Sequence, residues 1–76
     1  TLIRYFLPGI SEKNFIPVKL AIYDITGRLV ETLVNQPQEP GIYQVQWDGK
    51  KQASGVYFYR LLSGDFTSTR KLLLLR

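Results

Sequence analysis

Apolar side chains recur at every second position along most of this 76-residue chain. The clearest examples are the two runs Ile3, Tyr5, Leu7 and Val18, Leu20, Ile22. This spacing is typical of a strand with one buried face, and no stretch of about ten residues shows the 3.6-residue spacing of a helix. Turn residues interrupt the alternation about every ten positions, as they do in sandwiches and barrels. The pattern therefore predicts an all-β domain of six to seven strands, either a sandwich or a small barrel.

Three connections between these strands have distinct turn chemistry. In "DITGR", Asp24 can bond the backbone that follows it and Gly27 can adopt a positive φ angle, which predicts a short hairpin loop. Residues 35–41, "NQPQEPG", contain two prolines and a glycine and predict a longer loop. The dipeptide Asp48-Gly49 is expected to end the strand "IYQVQW".

Five of the ten aromatic residues lie between Tyr43 and Tyr59. We expect them to form the core face of a hairpin, because a small domain depends on a few large side chains for its buried area. In this hairpin the inward residues of the first strand face those of the second. The first set is Tyr43, Val45 and Trp47, and the second is Tyr57, Tyr59 and Leu61. The alternative is a stacking platform for sugar rings or bases made of Trp47, Tyr57 and Tyr59.

Alternation also turns several large apolar residues away from this core. They are Leu2, Phe6, Val56 and Phe58, with Ile42, Leu72 and Leu74 as further candidates. Several such residues on one sheet face make an apolar patch. We therefore predict a docking surface for a neighbouring domain or for another copy of the chain.

The sequence lacks the groups on which most catalytic and metal sites depend. It has no histidine and no cysteine, and no D-x-D-x-D-G calcium motif. Asp24, Asp48 and Asp65 all lie beside or near glycine in turns, where aspartate is favoured for its backbone bonds alone. We therefore predict a protein that is not an enzyme, with no catalytic residue, no cofactor and no metal.

The net charge of +4 is modest, and the basic residues occur in short pairs rather than in a long run. This argues against nucleic acid as a partner. No apolar run approaches the length of about 20 residues that a membrane span needs. Because the chain has no methionine, we expect residues 1–76 to be a single domain within a longer polypeptide.

Four segments carry a resemblance that covers essentially the whole chain. They are "TLIRYFLP", "VKLAIYDITGRLVETLVN", "PGIYQVQWDGK" and "ASGVYFYRL", followed by the basic and leucine-rich close "TRKLLLLR". In this order they resemble the C-terminal sorting domains (type A) of cargo proteins of the type IX secretion system. They are also similar to the immunoglobulin-like domain of the flagellar hook-capping protein. The resemblance implies an immunoglobulin-like antiparallel β-sandwich.

The sorting-domain resemblance further implies a folded export signal at the C-terminus of a secreted protein. Its partners would be an outer-membrane secretion translocon, a sortase-like peptidase and the adjacent domain of the parent protein. The location would be the cell surface or the medium, reached through the periplasm of a Gram-negative bacterium. The residues that match the family's recognition features are Gly55, Tyr57 and the strand from Lys71 to Arg76.

Two other functions fit the sequence. One is a structural spacer or a self-associating subunit of an extracellular assembly, a homo-oligomer joined through the apolar outer residues and the edge strands. The other, favoured less, is the carbohydrate-binding module described above.

Overall fold

The computed structural model describes residues 1–8, 15–64 and 66–75 as six antiparallel strands. The strands are β1 (Leu2–Leu7), β2 (Ile16–Asp24), β3 (Leu29–Gln38), β4 (Gly41–Gln46), β5 (Gly55–Ser63) and β6 (Phe66–Leu74). They form a four-stranded sheet in the order β3-β2-β5-β6 and a two-stranded sheet of β1 and β4. The prediction of an all-β, immunoglobulin-like sandwich with six to seven strands is confirmed, with six strands in the described ranges.

The core lies between the two sheets and is built from the alternating residues that the sequence indicated. Its most deeply buried large side chains are those of Leu7, Leu20, Ile22 and Trp47. The ring of Trp47 meets that of Tyr57 edge to face, with 5.2 Å between the ring centroids. This arrangement is favourable for aromatic pairs because the ring edge and the ring face differ in charge distribution.

A hydrogen bond joins the two sheets beside this core. The hydroxyl of Tyr5 in β1 donates to Oε1 of Gln38 in β3 at 2.6 Å. Burial raises the pKa of the Tyr5 phenol, although the hydrogen bond to Gln38 acts in the opposite direction. The Tyr5 ring also stacks on that of Tyr43, its partner in β4. A tyrosine at this position can therefore fill the core and still have a partner for its polar end.

The predicted hairpin loop between β2 and β3 is confirmed. Oδ1 of Asp24 accepts hydrogen bonds from the backbone N–H of Thr26 at 2.9 Å and of Arg28 at 3.0 Å, and from the Thr26 hydroxyl at 2.6 Å. Gly27 has a φ angle of 87°, in the left-handed region that favours glycine. These hydrogen bonds lower the pKa of Asp24 below its ordinary value of 3.8. The bond from the Thr26 hydroxyl has the largest effect, and the bond from the backbone N–H of Arg28 has the next largest.

The Asp24 loop leads to a pH-dependent prediction. A carboxylate whose pKa is lowered by folding stabilises the fold above its unfolded pKa, and this contribution is lost as the pH falls through the folded pKa. We expect Asp24→Asn to lower the urea midpoint of unfolding at neutral pH, and the difference from the wild type to shrink below pH 3.8 and disappear as the pH falls through the folded pKa. A difference that stays constant across that range would contradict a role for the Asp24 charge.

Residues 35–41 were predicted to be a loop, but only Glu39 and Pro40 lie between strands. Strand β3 continues through Pro37 to Gln38, and Pro37 lies opposite Pro17 of β2. Proline lacks the N–H that an inner strand would donate, but β3 is at the edge of the four-stranded sheet. Proline content therefore indicated a loop where the chain has an edge strand.

The predicted hairpin between the segments of Trp47 and Tyr57 is wrong. Strand β4 pairs with β1 in the small sheet, whereas β5 pairs with β2 and β6 in the large one. Residues 47–54 thus cross from one sheet to the other. Trp47 and Tyr57 do meet in the core, but across the sandwich and not as neighbours in one sheet.

Candidate functional site

The described part of the chain contains no group of three acidic side chains that could hold a metal ion. The salt bridge between Lys50 and Asp48, at 3.8 Å, is at an exposed loop. Nor do the described residues include a helix that could cross a membrane. We therefore consider the exposed surfaces of the described residues as candidate sites.

The aromatic residues of the proposed sugar platform do not lie on these surfaces. Trp47 is only 1% exposed and Tyr57 only 7%, while Tyr59 is half-buried. A sugar ring stacks on an aromatic face that is open to solvent. The burial of Trp47 therefore contradicts the carbohydrate-binding alternative.

Tyr57, one of the predicted recognition residues, has a clear structural contact. Its hydroxyl donates to the backbone oxygen of Ala53 at 2.7 Å, four residues earlier in the chain. Tyr43 makes a similar bond to the backbone oxygen of Glu39. In both cases a tyrosine near the start of a strand fixes the loop that leads into it, as the tyrosine corner does in immunoglobulin-like domains.

The other predicted recognition residues are placed as follows. Gly55 begins β5 and is half-buried, and Lys71 is exposed on β6 opposite Phe58. Arg76 lies outside the described residues. Recognition of Gly55, Tyr57, Lys71 and Arg76 by a partner stays a prediction.

The predicted docking surface is divided between the two outer faces of the sandwich. Leu2 and Phe6 lie on the outside of the small sheet, each 61% exposed, whereas Val56 and Phe58 lie half-buried on the outside of the large sheet. The prediction of a single patch that contains all four residues is therefore wrong. The sequence pattern gives the face of each strand but does not tell which sheet the strand joins.

Two further candidates for that surface, Leu72 and Leu74, are buried in the core at 9% and 4% exposure. The outward residue of this strand end is Leu73, with 57% exposure. The run "LLLL" has no alternation of its own, so the sequence did not indicate which leucines face inward. The third candidate, Ile42, is exposed and lies directly opposite Phe6.

A continuous apolar stripe crosses all four strands on the outside of the large sheet. We call it the outer stripe, and its residues are Tyr23, Leu29, Val56, Phe58 and Leu73. Tyr23 is paired with Leu29 on one side and with Phe58 on the other, and Val56 is paired with Leu73. Cross-strand neighbours of this kind are close enough for their side chains to touch. Alternation along the sequence indicated two of the five members, Val56 and Phe58, whereas the other three follow from the strand register.

Positive charge borders the outer stripe. The guanidinium of Arg60 lies over the ring of Tyr23, 5.0 Å from its centroid. Lys71 lies opposite Phe58 on the neighbouring strand. Aromatic rings next to basic side chains are frequent in surfaces that bind other proteins.

On the outside of the small sheet, Phe6 and Ile42 are paired and form a second apolar group, which we call the Phe6 patch. Leu2 lies on the same face but is separated from them by Arg4 and Gln44. All three are at least 61% exposed. An isolated two-stranded sheet is only marginally stable in water, so the small sheet depends on the packing of its inner face against the core. Its outer face is not needed for that packing and is available for contact with a partner.

Comparison with known proteins gives one family. The model of the FlgD Ig-like domain matches residues 11–60, which is well over half of the chain. No curated protein and no solved structure matches the chain. The match agrees with the similarity to the immunoglobulin-like domain of the flagellar hook-capping protein noted in the sequence.

Proposed function

We propose, since this chain belongs to the FlgD Ig-like domain family, that it is a recognition module without catalysis of its own, bound by another protein through the outer stripe. We further propose that this recognition sorts the parent protein for export. The path leads through the periplasm of a Gram-negative bacterium and across its outer membrane to the cell surface or the medium. The partners would be an outer-membrane translocon, a sortase-like peptidase and the adjacent domain of the parent protein.

The observation that carries this proposal is the outer stripe, which ends at Leu73 on the edge strand β6. Leu73 is 57% exposed and Leu29 is 51% exposed, and both lie on a face that no described segment covers. Contiguous apolar surface of this kind is typical of protein interaction sites. β6 is also an edge strand, so its backbone can accept a partner strand. The resemblance of the last strand to sorting domains adds support for export as the purpose.

Export can be tested with the chain fused to a periplasmic reporter in a host that has type IX secretion. Deleting residues 71–76 is a poor test, because it removes Leu72 and Leu74 from the core. Lys71→Glu is better, since it reverses an exposed charge beside Phe58. We expect surface delivery of the reporter to fall about tenfold, as a lost charge contact of about 1.4 kcal/mol would give.

The matched control is Lys50→Glu, the same charge reversal at an exposed loop position. It should leave delivery unchanged. If neither the wild-type chain nor the control directs the reporter to the surface, export is not the function. If Lys71→Glu is delivered as well as the wild type, the outer stripe is not the surface that the translocon recognises.

A second candidate function is self-association in an extracellular assembly, favoured by the exposure of the Phe6 patch. Phe6→Ser is expected to weaken any concentration-dependent association, because it removes an aromatic side chain that is 61% exposed and pairs with Ile42. Sedimentation velocity over a wide concentration range measures this. A wild-type chain that stays monomeric at millimolar concentration would exclude the assembly.

A further inference from the structure

The small sheet covers the large sheet only in part. The first half of β6 presents Phe66, Ser68 and Arg70 on the side that faces the core, as their pairing with the inward residues of β5 requires. Yet Phe66 is 54% exposed and Arg70 is exposed too. The space above them is a groove of about 410 Å³, which we call the side groove.

The opposite wall of the side groove is the edge of β1. Three consecutive residues of this strand, Arg4, Tyr5 and Phe6, line the groove, whereas β4 contributes only Ile42. The groove therefore lies beside β1 on the side away from β4. No described strand pairs with β1 on that side.

The hydrogen-bond pattern shows which backbone groups of β1 face the groove. Thr1 and Trp47 exchange two hydrogen bonds, of 2.8 and 3.0 Å. In an antiparallel pair such exchanges recur at every second residue, so Tyr5 bonds to β4, while Arg4 and Phe6 turn their N–H and C=O groups the other way. The edge thus presents a ready row of donors and acceptors.

The side groove has the position and the wall chemistry of an unfilled strand site. A strand paired with β1 would satisfy the outward backbone groups of Arg4 and Phe6. Its inward side chains would rest on Leu61 and Tyr59, which form the floor of the groove. Alternation would place its other side chains on the outer face beside Arg4.

Charge indicates what kind of strand fits. The described lining of the side groove includes two arginines, Arg4 and Arg70, and no carboxylate. A second copy of this chain carries a net charge of +4 itself, which disfavours it as the occupant. Acidic residues next to the arginines would be attracted to the site and held in register.

We propose that the side groove binds an extended, acidic segment of another polypeptide, with apolar residues alternating with carboxylates, as an added strand beside β1. This is independent of the recognition proposed for the outer stripe, because the groove and the stripe lie on different faces of the large sheet. Backbone pairing would give affinity, and the arginines would give selectivity for acidic sequences.

The test uses the 76-residue chain and two nine-residue peptides with capped ends, one alternating valine with glutamate and one alternating valine with lysine. Binding is followed by the amide NMR shifts of the ¹⁵N-labelled chain. We expect the acidic peptide to shift the amides of Arg4 and Phe6, which face the groove, and the basic peptide to have no such effect. Arg70→Glu should weaken binding of the acidic peptide about tenfold.

The control is Lys50→Glu, an equal charge reversal at an exposed loop residue that does not line the side groove. It should change the affinity by less than about twofold, since screening weakens the effect of distant charges. Equal weakening by both variants would overturn the proposal, because binding would then follow net charge alone. So would an absence of shifts at Arg4 and Phe6 at millimolar peptide. Shifts of these amides with protein concentration alone would assign the groove to a second copy instead.

Discussion

Replacing Trp47 with alanine is expected to lower the free energy of unfolding by about 3–5 kcal/mol, the usual loss for a buried tryptophan. Domains have a total stability of about 0.05–0.15 kcal/mol per residue, so a chain of 76 residues has roughly 4–11 kcal/mol in all. Trp47 is 1% exposed and packs on Tyr57 between the two sheets. Its removal leaves a cavity that the sheets cannot close without losing other contacts.

The measurement is urea unfolding followed by far-ultraviolet circular dichroism, because the variant has lost its only tryptophan. Phe6→Ala is the matched control, since its aromatic side chain is 61% exposed on the Phe6 patch. This control should change the free energy of unfolding by no more than about 1 kcal/mol, the upper end for a cross-strand pair such as Phe6 and Ile42. A Trp47→Ala variant as stable as the control would contradict the placement of Trp47 in the core.

The second large effect is expected for Gly49→Ala, with a loss in the free energy of unfolding of about 2–5 kcal/mol. Gly49 has a φ angle of 64°, where any residue with a Cβ atom costs about 1–2 kcal/mol. An added Cβ would also lie 3.0 Å from Cδ2 of Leu74, which is only 4% exposed and has little room to move. Crowding of this kind in a core costs about 1–3 kcal/mol.

Gly27→Ala separates the two contributions to this loss. Gly27 also has a positive φ angle, of 87°, but nothing lies within 4 Å of an added Cβ. The variant should therefore lose only the backbone part, about 1–2 kcal/mol. In addition, Leu74→Val should cost less in the Gly49→Ala background than in the wild type, because coupled sites are not additive. Equal losses for the two glycine variants would exclude a clash with Leu74.

The sequence determined those parts of the fold that depend on neighbouring residues. Alternation placed Ile3, Tyr5 and Leu7 in the core, and each is at most 6% exposed. Asp24 and Gly27 specified the hairpin loop, because an aspartate that bonds the following backbone and a glycine at positive φ favour a turn locally. The all-β class followed from the same local information.

The choice of strand partners was not determined in this way. The segments around Trp47 and Tyr57 alternate equally well, and Asp48-Gly49 has the chemistry of a hairpin turn. Residue 52 does donate to the backbone oxygen of Gly49 at 3.0 Å, yet the chain then leaves the small sheet. β4 pairs instead with β1, about 40 residues earlier, because that pairing closes the core over Trp47.

For the candidate surfaces too, the sequence determined side-chain direction and the tertiary structure determined which side chains lie together. The sequence by itself determined that Phe6 and Phe58 point away from the core, since neighbouring side chains in a strand take opposite faces. Only the tertiary structure decided that these two lie on opposite outer faces, that Leu73 completes the outer stripe, and that a groove opens beside Arg4. The physical reason is that side-chain direction is fixed within a strand, whereas sheet order depends on hydrogen bonds and packing between segments far apart in the chain.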